Sequence, residues 1–420
     1  MPSDKLCFSN NEGLNVMKKS ALIFTASFGD GHIQAARALK AECEKNHIDT
    51  LIIDLLYELH PIVRKLLTFS YYRLLIHAPS IWRRFYEQKG DRELIFLHKI
   101  LSHLMQTQLQ KQIEDHRPKF IISTHPFVTI MLASLKQNNV YHVPLYAVMT
   151  DFKFHPFFLH EQIDHYFTAD PAFQVVSQAW GTNVNQVTYS GIPAIKNDEQ
   201  IDELKEHPKP LILLAGGGQG LMHYKPIIQS LDALSHKVTI ICMIGRKLKL
   251  EKKIARLRRK TSHKLKIIPF TERFTSYLHT ADIIITKAGG LTLTEGLLSQ
   301  KPMLIYNPLP GHEEDNARFL SEIGACEWVK DVKEIPMLVE RLLHDQSYRA
   351  KLNEAIDLIK KPVAAETIVK EILTSSQLKY QPITNDPAFF AKGERGRKQP
   401  LHQAEQVKQS YFEPPFLSRK

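Results

Sequence analysis

The sequence has no apolar run long enough to cross a bilayer as a helix, which takes ~20 residues, so no membrane span is expected. Lys18-Lys19 before Ala21-Leu22-Ile23-Phe24 imitates a signal peptide. Its apolar part is short and runs straight into glycine-rich sequence, which favours a first β-strand. Cysteine is scarce. The four, Cys7, Cys43, Cys242 and Cys326, lie far apart with no Cys-x-x-Cys, arguing against a zinc site and a disulfide scaffold and for a reducing cytosol. Nucleotide fingerprints are also missing. Gly29-x-Gly31 is followed by Gln34 rather than a third glycine, and no Gly-Lys-Ser/Thr occurs. A nicotinamide enzyme and a Walker-type NTPase are therefore disfavoured.

What is present suits a two-domain soluble protein: 420 residues, 43% hydrophobic and 24% charged. The net charge of +11 favours an anionic partner, either nucleic acid or an acidic membrane surface. Charge alone does not choose between them.

The chain is organised around residues 286–320. Ile283-Ile284-Ile285 reads as a buried strand, Lys287-Ala288-Gly289-Gly290 as a turn, and Thr292 to Leu298 as a helix carrying Glu295. Pro302 stops that helix, and Met303 to Tyr306 reads as a second strand. Pro308, Pro310 and Gly311 form a rigid loop before a helix that opens on His312, Glu313, Glu314 and Asn316. A glycine turn at a helix N-terminus suits phosphate, because free N–H groups and the helix dipole both favour negative charge. A carboxylate one turn inside is a poor phosphate partner and a good acceptor for the vicinal hydroxyls of a ribose. The polar cluster at 312–316 offers partners for further hydroxyls. Together these describe a nucleotide sugar. Against this stands a plain strand–turn–helix connection with a solvated acidic loop, to which a glycine pair alone would not be superior.

The rest of the chain alternates strands and helices. Ala21 to Thr25 and Leu51 to Leu55 read as strands around a glycine turn, Ser27 to His32, and a helix from Ile33 to Lys45. Phe120 to Ser123 ends in Thr124-His125-Pro126, and Leu145 to Thr150 ends at Asp151. His125 and Asp151 thus stand at strand carboxyl ends, where open α/β sheets place active groups. Ala215-Gly216-Gly217-Gly218-Gln219-Gly220 follows the strand at Leu211 to Leu214 and forms a second phosphate-type cradle. Ile267 to Thr271 reads as a strand into a turn, and Lys247 to Lys264 as a solvated basic helix. Residues 57–100 interleave aromatics such as Tyr57, Phe69, Tyr71, Tyr72 and Trp82 with Arg64, Lys65, Arg73 and Arg83. That mixture suits a membrane interface, an amphipathic insertion packed into the domain, or, with no recognised module to accompany it, nucleic acid.

TKAGGLTLTE and PLPGHEEDNA resemble the donor-site signature of glycosyltransferase family 28, in the branch of diacylglycerol glucosyltransferases and plant galactolipid synthases. Ala288 and His312 stand where members usually carry proline and glutamine. Gly29-Asp30-Gly31-His32 resembles the family's N-terminal Gly-x-Gly-His turn. Ser123-Thr124-His125-Pro126, Thr150-Asp151 and Gly191-Ile192-Pro193 also match, so spaced motifs run in family order over roughly Lys19 to Leu373. The resemblance implies an α/β fold of GT-B architecture: two Rossmann-like domains with parallel sheets facing a central cleft. It implies inverting transfer of a hexose, glucose above all, from a UDP-sugar to diacylglycerol or a related glycolipid. His32 or Asp151 is then the base, with Gly29, Gly31 and His125 on the acceptor side. Gly217, Gly218, Gly220, Lys287, Gly289, Gly290, Thr292, Glu295, Gly311, His312, Glu313, Glu314 and Asn316 hold the donor, and Phe270 and Thr271 its uracil. No cofactor or metal is expected, and no Asp-x-Asp donor-metal motif occurs.

The expected layout is a disordered extension at 1–16, an acceptor and membrane-binding domain at 17–195, a linker at 196–209, a donor domain at 210–377, and a disordered basic tail at 378–420. The last helix, around Thr367 to Leu373, is expected to return to the first domain, as the family's does. The expected setting is the cytoplasmic face of an anionic membrane, without nucleic acid. Other readings are a UDP-sugar transferase acting on a polyprenyl-linked or other acceptor, an epimerase-like UDP-sugar enzyme, and a non-catalytic membrane or nucleic-acid binder.

Overall fold

The computed structural model describes residues 20–78, 105–153, 159–179, 187–195 and 209–378. The extension at 1–16, nearly all of the linker and tail, and the aromatic–basic stretch over 79–100 lie outside the described residues.

Fully buried apolar runs such as Leu211–Ala215 and Ile283–Thr286 become strands because the helices on both faces of a parallel sheet leave them no polar side. The first sheet holds β1 (Ser20–Thr25), β2 (Asp49–Asp54), β3 (Phe120–Ser123), β4 (Leu145–Val148), β5 (His165–Thr168) and β6 (Val187–Tyr189). They pair in parallel in the order β2-β1-β3-β4-β5-β6. The second holds β7 (Leu211–Ala215), β8 (Thr239–Gly245), β9 (Lys264–Pro269), β10 (Ile283–Thr286), β11 (Met303–Tyr306) and β12 (Glu327–Val329). Its order is β12-β11-β10-β7-β8-β9, again parallel. This is the α/β, GT-B arrangement expected from the motifs.

Strand order reverses at β1 and β3 in the first sheet and at β7 and β10 in the second. Such reversals open crevices at the strands' carboxyl ends, where the flanking helices diverge to opposite faces. The chain leaves β1 toward His32, β3 toward His125, β7 toward Gly217 and β10 toward Gly289. Topology therefore delivers four of the recognised motifs to two crevices.

Three elements depart from the sequence-based expectations. The helix after β1 runs Asp30–Lys45 and so takes Asp30, Gly31 and His32 into its first turn. Extended Gly29 caps it, and the Asp30 carboxylate complements the dipole there. The helix after β10 likewise starts at Gly290 rather than Thr292. The basic stretch is helical only over Lys249–Ala255, with a tight turn at Arg256–Arg259. Asp232 takes the Thr261 hydroxyl at 2.6 Å and the Ser262 amide at 3.2 Å, which draws the chain off into β9.

One core fills the second lobe, and two lie on the faces of the first sheet. The helix Ala364–Leu378 buries Ile368, Val369 and Ile372 among Ala21, Ile23, Leu39 and Phe167 of the first lobe. The chain's last described helix thus completes the domain that its beginning founded, as the resemblance implied. Replacing Ile368, fully buried, with alanine should cost about 2–5 kcal/mol from lost burial and an unfilled cavity. Thermal unfolding with a fluorescence probe in each lobe checks this: the first-lobe transition is expected to fall, although the change lies in a helix that follows the second sheet in the chain.

Candidate active site

The two crevices face each other across a cleft of about 410 Å³. His32, Asp151, Gly29 and Gly31 line it from the first lobe. Gly217, Gly218, Phe270, Thr271, Lys287, Gly289, Gly290, Thr292, Glu295, His312 and Glu313 line it from the second.

His32 is held by its Nδ1 atom. The Thr124 carbonyl lies 3.0 Å away and the Thr150 hydroxyl 2.7 Å away. A carbonyl only accepts, so Nδ1 carries the proton and Nε2 keeps its lone pair. Thr124 is itself fixed, its hydroxyl within 2.9 Å of the Thr25 hydroxyl and 3.0 Å of the His32 carbonyl. Burial lowers the His32 pKa below its ordinary 6.5, while the Asp151 charge acts in the opposite direction. The resting imidazole is therefore a neutral base. His125 does not line the cleft. It lies buried behind His32, the two ring centroids 4.5 Å apart, between Phe28 and Phe127. Burial and the neighbouring His32 keep it neutral too, and its Nδ1 has no hydrogen-bond partner.

In the second lobe Lys287 reaches between the two glycine turns and pairs with Glu313. Burial opposes a charge on Glu313, but Lys287, His312 and the Leu309 amide at 2.8 Å outweigh it and hold the carboxyl below its usual range. Glu295 differs. No hydrogen bond reaches its carboxyl among the described residues, and burial pushes its pKa up to about 8. It is an acid lining the cleft with no protein partner, as a receptor for hydroxyl groups would be.

Asn316, Glu314 and Gly220 contact protein and do not line the cleft, whereas Gly290 both lines it and packs against the first lobe. Asn316 is fully buried and uses its whole amide between the lobes. Its Nδ2 donates to Asp151 Oδ1 at 2.8 Å and to the Ala288 carbonyl at 3.1 Å. Its Oδ1 accepts from the amides of Phe152 at 2.7 Å and Lys153 at 3.3 Å. Glu314 turns back to the Gly311 amide at 3.3 Å, so this pair caps the helix His312–Glu322 rather than lining the cleft. Gly220 packs against the end of β8, where an added Cβ would lie 2.2 Å from the Ile244 carbonyl. Gly290 sits against the first lobe; its Cβ would lie 2.0 Å from the Thr150 carbonyl.

Two sequence profiles match the chain: monogalactosyldiacylglycerol (MGDG) synthase over residues 32–194, and the glycosyltransferase family 28 C-terminal domain over 211–371. The chain belongs to glycosyltransferase family 28. A relative, the processive diacylglycerol beta-glucosyltransferase of Bacillus cereus (strain AH187), is 28% identical over 377 residues, 86% of this chain and 95% of the relative. Among solved structures, Acinetobacter baumannii MurG superposes with a TM-score of 0.57 at 16% identity, covering 85% of this chain and 99% of that one. The S. aureus MnaA–UDP co-structure gives 0.58 at 16%, covering 87% and 98%. These two likenesses concern the fold. As a family 28 member the protein is a hexosyltransferase.

One pair at the site of this transferase escaped the sequence analysis. Arg246 donates to Asp30 Oδ1 at 2.6 Å across the lobes and lies over the Phe270 ring, 3.7 Å from its centroid. Asp30 presses on the Gly218 backbone, and its Oδ2 is buried without a partner. The partners are 216 positions apart, and no sequence spacing announces such a contact.

Hydroxyls that donate to Glu295 favour its ionised form, so UDP binding at pH 7 should release about one proton. Affinity should fall as pH drops below about 8 and level off above it. Calorimetry in two buffers of different ionisation heat measures the count, and Glu295→Gln should abolish it. A release unchanged in that variant would remove Glu295 from the ribose site.

Proposed function

We propose that this hexosyltransferase moves glucose from UDP-glucose to the hydroxyl of diacylglycerol, with inversion, at the cytosolic face of the membrane. The observation that carries this reading is that His32 and Glu295, on opposite lobes, line one cleft. The diphosphate lies against the turns at Gly217-Gly218 and Gly289-Gly290, with the helix N-terminus at Gly290 and the Lys287 ammonium offsetting its charge. Glu295 holds the ribose hydroxyls. Nε2 of His32 takes the acceptor's proton as its oxygen attacks the anomeric carbon from the face opposite UDP. The bond from that carbon to the UDP oxygen breaks, and the leaving diphosphate carries the electron pair away. Asp151, whose charge raises the His32 pKa, stabilises the imidazolium that forms.

The lining of the cleft supports a lipid acceptor. Phe28, Tyr71, Tyr72, Leu75 and Leu291 are the apolar part of that lining. Tyr71, Tyr72 and Leu75 come from the helix Pro61–His77, whose other side exposes Ile62, Leu66 and Phe69 at helical spacing. Tyr57, Arg64, Lys65 and Arg73 surround that stripe, with Arg64 4.3 Å from the Tyr57 ring centroid and Arg73 5.8 Å from that of Phe69. Aromatic rings and cations around an apolar stripe fit the headgroup level of an anionic bilayer.

Incubation with UDP-glucose or UDP-galactose and vesicles containing diacylglycerol, read by mass spectrometry, should yield glucosyl-diacylglycerol. Sugar interconversion without lipid would support an epimerase instead, and vesicle binding without turnover a non-catalytic binder. His32→Ala should lower turnover about 10²–10⁴-fold and leave UDP affinity unchanged. Because the base must be unprotonated and its pKa is lowered, the acid limb of kcat, measured at saturating UDP-sugar so that Glu295 titration does not enter, should lie below pH 6.5. A limb above 6.5, or normal turnover of the variant, would contradict the assignment.

A further inference from the structure

We propose that His236, Glu340 and His344 bind a divalent ion of the zinc type on the face of the second lobe turned away from the cleft. His236 precedes β8, whereas Met243 and Gly245 at the other end of that strand line the cleft. Glu340 and His344 stand one turn apart on the helix Ile335–His344. One ligand atom from each of the three residues lies within 4.8 Å of the other two.

The carboxylate sits between the two rings. His236 Nδ1 is 3.5 Å from Glu340 Oε1, and His344 Nε2 is 3.3 Å from Glu340 Oε2. A four-coordinate ion with bonds of ~2.0–2.1 Å keeps its ligands roughly 3.4 Å apart, so small side-chain rotations suffice for binding. The carboxylate is already oriented. The Ser235 amide at 3.0 Å and hydroxyl at 2.8 Å both donate to Oε1, the kind of support that fixes metal ligands elsewhere. The His236 Nε2 is buried without a partner, so this ring is not committed to another hydrogen-bonded role on that side. Arg341, the nearest cation on the same helix, is turned onto the Tyr348 ring, 3.7 Å from its centroid.

Two imidazoles and one carboxylate select zinc, copper, nickel or cobalt over magnesium and calcium, which require oxygen ligands. The scarcity of cysteine does not bear on this site, because none of its ligands is sulfur. Binding would clamp the connection from Leu231 to Val238 onto the helix Ile335–His344 and add stability by mass action.

The test uses full-length, untagged, metal-stripped protein and Zn²⁺ alone, titrated against a chromophoric chelator. About one equivalent should bind, unaffected by millimolar Mg²⁺ or Ca²⁺, and Zn²⁺ should raise the unfolding temperature. His344→Ala and Glu340→Gln should each weaken that binding at least tenfold and remove the temperature rise, with sugar transfer unchanged. The second variant keeps the shape of the site if the first disturbs folding. Equal Zn²⁺ affinity in wild type and both variants, or no Zn²⁺ bound by wild type, would overturn the proposal.

Discussion

The closed cleft depends on the amide of Asn316. This side chain has two donors and two acceptor sites, and all four are engaged, three of them with the first lobe and one with the Ala288 carbonyl of the second. It joins the turn after β4 to the turn after β10, which are the loops that carry Asp151 and Ala288. Beside it Gly290 lies against the Thr150 backbone, at a distance no side chain would allow. The same Thr150 contacts His32 through its hydroxyl. His32, the proposed base, and the helix N-terminus at Gly290 are thus positioned through one short stretch of chain. A buried amide with every bond satisfied specifies geometry more strictly than an apolar contact would, because any displacement strands a polar group.

The cleft combines polar and apolar lining. Its lining includes the glycine turns and the Lys287–Glu313 pair. The same cleft is also lined by Phe28, Tyr71, Tyr72 and Leu75. Burial keeps both tyrosine hydroxyls protonated well above neutral pH. His32 lines the cleft too, neutral and with one nitrogen committed to Thr124 and Thr150. Polar and apolar groups thus surround a neutral imidazole.

Much of this was legible from local pattern. Phe120–Ser123 and Met303–Tyr306 are strands with the boundaries their apolar runs suggested. The residues that reach the cleft, from Gly29 to Glu313, mostly belong to turns after strands, where spacing and chemistry coincide. Helix starts were less legible, because glycine masks a first turn, as at Gly31 and Gly290. What sequence could not show were contacts made only when the lobes meet. Asn316 and Glu314 have the chemistry of sugar ligands, yet the first bridges the lobes and the second caps its own helix. The Asp30–Arg246 pair is of the same kind: each half is unremarkable until the two sheets face each other.

The central claim is that one cleft between two switch points receives UDP on the second lobe, opposite the His32 base. A crystal structure of the UDP complex tests it most directly. The account predicts the ribose hydroxyls on the Glu295 carboxylate and the diphosphate against the Gly217-Gly218 and Gly289-Gly290 turns, with Nε2 of His32 facing the space beyond. A nucleotide bound at the turn after β1, or one leaving Glu295 without a contact, would contradict it.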